Sequence, residues 1–158
     1  MATRSIIAEV SGKGWNGRYC HWDGSPHTKV NQLLLLVARD GLETVKKTII
    51  HDNYSWSVID PFAKREEDSQ WKFVEGYGYA HNDLPPDQQY LFTESDTDFA
   101  WAEYLYVLGE KGLQVWKFEQ DEDGLWSWRT SSDAYHSYLD NELLEMFRTM
   151  EQMRLSIS

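Results

Sequence analysis

The chain has 158 residues, 41% of them hydrophobic, with eight Trp, nine Tyr and a formal net charge of −11. That length suits one α+β domain spanning residues 1–158, with enough chain to bury a real core, and so many aromatic residues exclude a disordered chain. The acidic balance argues against direct nucleic-acid binding, which needs a basic stripe, and the lone Cys20 excludes an internal disulfide or a cysteine-rich metal centre.

Residues 5–10 read as a first strand, with Ile6, Ile7 and Val10 apolar. The loop at 11–14 carries two glycines but lacks the Gly-x4-Gly-Lys-Ser/Thr pattern of a phosphate loop. The stretch 17–26, Gly-Arg-Tyr-Cys-His-Trp-Asp-Gly-Ser-Pro, is the most informative in the chain. Alternation puts Arg18, Cys20 and Trp22 on one face and Tyr19, His21 and Asp23 on the other. Cys and Trp favour burial more than His and Asp do. The expectation is therefore a core-facing Cys20 and Trp22, with Tyr19, His21 and Asp23 facing a groove. Gly24 supplies the freedom for a tight turn. Ser25 caps the next helix with Pro26 at its first position, and Thr28 is the rival cap.

A helix is expected over 29–39, where Val30, Leu33, Leu34 and Val37 follow helical spacing, and Asp40-Gly41 ends it. A second helix follows over 42–50, with Leu42, Val45 and Ile49 inward and Lys46 and Lys47 outward. Residues 54–59 alternate as a strand, 61–70 form a charged loop, 71–79 form another strand region, and Pro85-Pro86 marks a break within 82–89. Strands at 100–108, 113–119 and 125–129, joined by turns at 109–112 and 121–124, predict an antiparallel meander. A final helix is expected from a cap at 131–133 to about Arg154. Two helices after the second strand and one at the C-terminus, beside a largely antiparallel sheet, define the expected α+β fold.

The motif Tyr-x-His-Trp-Asp-Gly-x-Pro is followed here by a Leu-rich helix ending in Arg39-Asp40-Gly41, a second helix, and Trp56-Ser57. In this it resembles an uncharacterised family of small actinobacterial and actinophage proteins. The likeness covers about the first sixty residues and, more loosely, the 98–115 hairpin. Ser25 stands where the family carries Tyr. The resemblance implies a phage-linked or actinobacterial origin and brings no activity with it.

Three functional readings compete at this stage. In the first, a small-molecule pocket lies at the His-Trp-Asp-Gly turn, lined by Tyr19, His21, Trp22, Asp23, Gly24, Ser25 and Trp56. A nucleotide-like ligand would be sequestered there. The helix entrance would attract its anionic part, with Arg18 and Lys29 nearby and Trp15, Tyr19 or Trp56 stacking on a base. In the second, an acidic, DNA-mimic-like surface masks a basic protein partner. Between Lys72 and Lys111 the chain has no Lys or Arg but carries Glu75, Asp83, Asp87, Glu94, Asp96, Asp98, Glu103 and Glu110. In the third, His21 and Asp23 act as the catalytic residues of a hydrolase, or bind a metal with a third ligand from His51, Asp52 or His81. A single His-x-Asp is too little to imply a metal, and no cofactor is expected.

Along the final helix, Leu139, Leu143, Met146, Met150 and Met153 form a stripe. It suits packing on the sheet, or a homodimer through that helix. The longest strongly apolar run, 33–38, is too short to cross a membrane. With no signal-peptide layout at the N-terminus and one cysteine, the expected compartment is the cytoplasm.

Overall fold

Period-two alternation in the first two strands sets the centre of the molecule. In the computed structural model, which describes residues 2–81, 89–96, 102–138, 148–149 and 152–153, β1 (Ser5–Ser11) pairs antiparallel with β2 (Gly14–Cys20), Ser5 opposite Cys20. Residues opposite each other share a face. Ile7, Arg18 and Cys20 therefore point to one side, and Ile6, Ala8 and Tyr19 to the other. Both sides are covered, so Ile6 and Ile7 are buried alike.

From β2 the chain enters α1 (Pro26–Asp40), then α2 (Leu42–Lys46) and a π-helical turn, Lys47–His51. It returns as β3 (Ser55–Ile59), parallel to β2, with Tyr19 beside Ser55 and Cys20 beside Trp56. Leu33, Leu36, Val45 and Ile49 pack on Cys20 and Trp56 in the main core. The hairpin of β4 (Lys72–Val74) and β5 (Gly78–Ala80) extends the sheet beyond β3. Along the same edge of β2 as β3, β6 (Leu91–Phe92) pairs with Trp15 and Asn16, and on the other side of the sheet β7 (Tyr104–Leu108) runs parallel to β1. The strands β8 (Gly112–Gln120) and β9 (Trp126–Arg129) complete the expected meander, and β10 (Tyr135–Ser137) adds to β8.

The chain segment after β6 reaches β9 through one backbone bond, Trp128 N–H to Glu94 O at 3.4 Å. The sheet thereby curls over a second core on the face away from the helices. Trp15, Phe92, Leu105, Val107 and Trp128 fill it, with Trp116 edge-on to Trp15 at 5.0 Å.

Several expectations need correction. The fold is mixed α/β and sheet-dominated; most strand pairs in its sheet are antiparallel as expected, but β1–β7 and β2–β3 are parallel, so the sheet is mixed. The strand expected over 71–79 is a hairpin, bent where Gly76 and Gly78 adopt φ of +80° and +126°. The expected start of the last helix is instead a 3-10 turn, Ser132–Ala134, followed by β10. Pairing with Leu113 and Gln114 holds those residues extended. Leu139, Leu143, Met146 and Met150, which carry the proposed dimer stripe, lie outside the described residues.

The Arg39-Asp40-Gly41 part of the motif is a structural latch. Arg39 grips Asp40 through two bonds, of 2.9 and 2.8 Å, and donates to Gly76 O at 2.9 Å. Tyr77 OH donates to the same carboxylate at 2.5 Å. The end of α1 is thus tied to the β4–β5 turn. The Arg39 hydrogen bonds hold the Asp40 carboxyl below its ordinary value, against the opposing effect of burial. A depressed carboxyl stabilises the fold above its unfolded value, and that contribution is lost as pH falls through the folded value. The gap in Tm between wild type and Asp40→Asn should therefore be widest near pH 7 and close toward about pH 3, below the ordinary Asp value. Thermal unfolding of both proteins across that range measures it. Burial pushes Tyr77 up to about 12, with Asp40 adding to the shift.

Candidate functional site

The β2–α1 turn follows the carboxyl end of β2 and runs beside Trp56 and Ser57 in the first half of the parallel strand β3. Backbone bonds run from His21 N–H to Trp56 O at 3.0 Å and from Trp22 N–H to Ser57 O at 2.9 Å. Two consecutive N–H groups aimed at one neighbouring strand break the regular ladder, in which only alternate groups face a given side. The alternation therefore ends at Cys20. Cys20 is buried as expected, but Trp22 is 47% exposed, not core-facing. Asp23 is exposed too, and takes the left-handed φ of +59° itself, a conformation that Asp tolerates better than most residues.

Gly24 is needed for space and not for a positive φ. A Cβ there would come 2.5 Å from Thr3 O. Gly24 N–H bonds that same carbonyl at 2.9 Å, while Tyr106 OH donates to Gly24 O at 2.6 Å. Ser25 occupies the N-cap position with Pro26 next, yet its hydroxyl makes no capping bond. Its carbonyl accepts from the N–H groups of Thr28 and Lys29.

Above this turn stand the side chains that face outward. Tyr19 OH and His21 Nδ1 are 2.8 Å apart, and the His21 ring meets Trp22 edge-to-face at 4.8 Å. The hydroxyl fixes the half-buried imidazole through Nδ1, which leaves Nε2 as the nitrogen outside that bond. Burial raises the Tyr19 hydroxyl above its ordinary value, with Arg4 opposing. Tyr19 is thus held in its neutral, hydrogen-bonding form.

The other expected residues lie elsewhere. Trp56 is fully buried on the helix side, and its Nε1 donates to Ile49 O at 3.0 Å. It cannot stack on a ligand at the turn, because the β2–β3 register sets it beside Cys20. Trp15 belongs to the second core. The two cations expected beside the turn, Lys29 and Arg18, point inward. Lys29 is fully buried, donating to Gln32 Oε1 at 2.8 Å and Ile59 O at 3.2 Å. Arg18 spends its guanidinium on Ile50 O at 2.7 Å, Asn53 O at 3.1 Å and Gly17 O at 2.9 Å.

The structure pairs His21 with Tyr19 and not with Asp23, so the oriented base that a His21–Asp23 hydrolase requires is not formed. The suggested third metal ligands are engaged separately: His51 with Glu9 at 2.9 Å, Asp52 with Lys47 at 2.8 Å, and His81 with Ser55 at 2.9 Å. Among the described residues no three His, Cys, Asp or Glu side chains converge to hold a metal.

No protein-family model, curated protein or solved structure matches the chain. Among the described residues no helix is long and apolar enough to cross a membrane.

One group near the turn escapes sequence reasoning. Ser55, beside Tyr19 in register, bonds His81 Nδ1 at 2.9 Å, and His81 meets Trp71 edge-on at 4.3 Å. A second hydroxyl–imidazole–indole set therefore neighbours Tyr19, His21 and Trp22. Its members are 26 residues apart at the Ser55–His81 bond, and no local spacing connects them.

Proposed function

We propose that this chain is a binding protein that sequesters a small, planar, nucleotide-like ligand at the β2–α1 turn. The observation that carries this reading is the exposed Trp22 indole, braced against His21 at the helix entrance. An exposed indole gives a planar ring a stacking platform. The half-buried His21 imidazole and the exposed carboxylate of Asp23 supply polar groups for its edge or for a sugar hydroxyl.

Recognition falls on the ring and not on phosphates. Lys29 and Arg18 face inward, Pro26 has no N–H, and the N–H groups of Gly24, Thr28 and Lys29 are already bonded. Asp23 repels an anion. The phage-linked resemblance of the motif is what attaches sequestration to the binding role.

Calorimetry with a panel of nucleosides and nucleotides tests the reading. A nucleoside should bind about as well as its phosphorylated forms. Trp22→Ala should weaken binding by about 1–3 kcal/mol, the value of one base–aromatic stack. Salt should matter little, since few cations are present to release counterions. Affinity that climbs steeply with phosphate number, or that is indifferent to Trp22→Ala, would count against this site.

A further inference from the structure

A different surface carries an inference that does not depend on the ligand site. The β8–β9 hairpin presents two large apolar side chains to water: Leu125 is 66% and Trp126 51% exposed. Trp126 is stacked on Phe118 at 5.5 Å between ring centroids, with the planes 21° apart. Phe118 in turn packs against the buried Trp128 at 5.0 Å, so the indole is anchored to the second core.

The turn that carries the pair is internally bonded. The Asp121 carboxylate accepts from Asp123 N–H at 2.8 Å and Leu125 N–H at 2.9 Å. Asp121 N–H donates to Leu125 O at 2.9 Å, and the Gln120 side chain donates to Gly124 O at 2.9 Å. Gly124 takes a φ of +82°. A surface held in one conformation loses little entropy on association, and a rigid exposed Trp is the residue type that most often dominates a protein interface.

Charge identifies the partner. Asp121, Glu122 and Asp123 make up the turn that carries the apolar pair, whereas Glu119, opposite Ser127, lies on the other face of the hairpin from Trp126. The nearby cations are Lys117 and Arg129, of which Arg129 leans on Asp121 at 3.6 Å. The rim is therefore acidic, in keeping with the chain's charge of −11.

We infer that the β8–β9 tip is a docking surface for a basic protein, which receives Leu125 and Trp126 in an apolar pocket ringed by Lys or Arg. The acidic rim steers the encounter, and the indole supplies most of the affinity.

The test places the photo-crosslinking residue benzoylphenylalanine at position 125, with a control carrying it at the exposed Glu67 position, in cells that make the protein natively. The full chain is used, and crosslinked species are identified by mass spectrometry. The expected result is a basic protein crosslinked from position 125 and not from position 67. With that protein purified, Trp126→Ala should weaken binding about 10-fold or more while the circular dichroism spectrum is unchanged. Association should also slow as salt rises.

Crosslinking from position 125 that does not exceed the control overturns the inference. So does crosslinking to a second copy of the chain or to an acidic partner, or a purified partner that binds Trp126→Ala as well as wild type.

Discussion

Arg18→Met should destabilise the fold by about 2–4 kcal/mol, because it leaves several buried carbonyls without a donor, each at a cost of about 1–3 kcal/mol partly offset by relaxation. Those carbonyls are Ile50 O and Asn53 O at the end of the π-helical turn and Gly17 O in β2, all bonded by the one guanidinium. Arg18 is itself buried, and its side chain also lies over the Tyr54 ring at 5.1 Å. Met fills similar volume, so the loss isolates the hydrogen bonds. Arg18→Lys keeps the charge but cannot reach all these acceptors from one nitrogen, so it should fall between Met and wild type. Urea unfolding of the three proteins, with the m-value held constant as the sign that only native-state stability changed, measures the series.

Trp56→Ala should cost about 3–5 kcal/mol, the range for truncating a large buried aromatic residue. It empties the centre of the helix-side core and also strands Ile49 O, the acceptor of the indole N–H. Trp56→Phe should cost less, since it keeps most of the ring volume. The phenylalanine variant should bind ligand as wild type does, whereas Trp22→Ala should fold normally and bind poorly. That opposite pair of outcomes follows from the burial of one indole and the exposure of the other. Denaturant unfolding and calorimetry on both variants read it out.

How much of this was legible beforehand depends on the range of the interactions involved. Helical spacing of Leu33, Leu34 and Val37 located α1, and the turn residues at 121–124 located the β8–β9 hairpin, because both signals are local. The orientation of Trp22 was not legible. It depends on His21 and Trp22 both bonding β3, a pairing 35 residues away in sequence. Trp56 was misplaced for a related reason. Alternation separates Trp56 from Ile59 in parity, yet both are fully buried, because a register shift between Trp56 and Val58 turns the strand. Gly24 was singled out correctly, but as a source of torsional freedom; its actual role, close approach to Thr3 O, is visible only once β1 lies beside the turn. The two parallel pairings and the curl of the sheet onto β9 have no local signature at all.

Native mass spectrometry of the protein purified from the cells that make it tests binding at the β2–α1 turn most directly. Wild type should carry one small molecule per chain, which Trp22→Ala loses and Trp56→Phe keeps. A wild-type chain at its bare mass, or a bound molecule retained equally by Trp22→Ala, would contradict the assignment of the site.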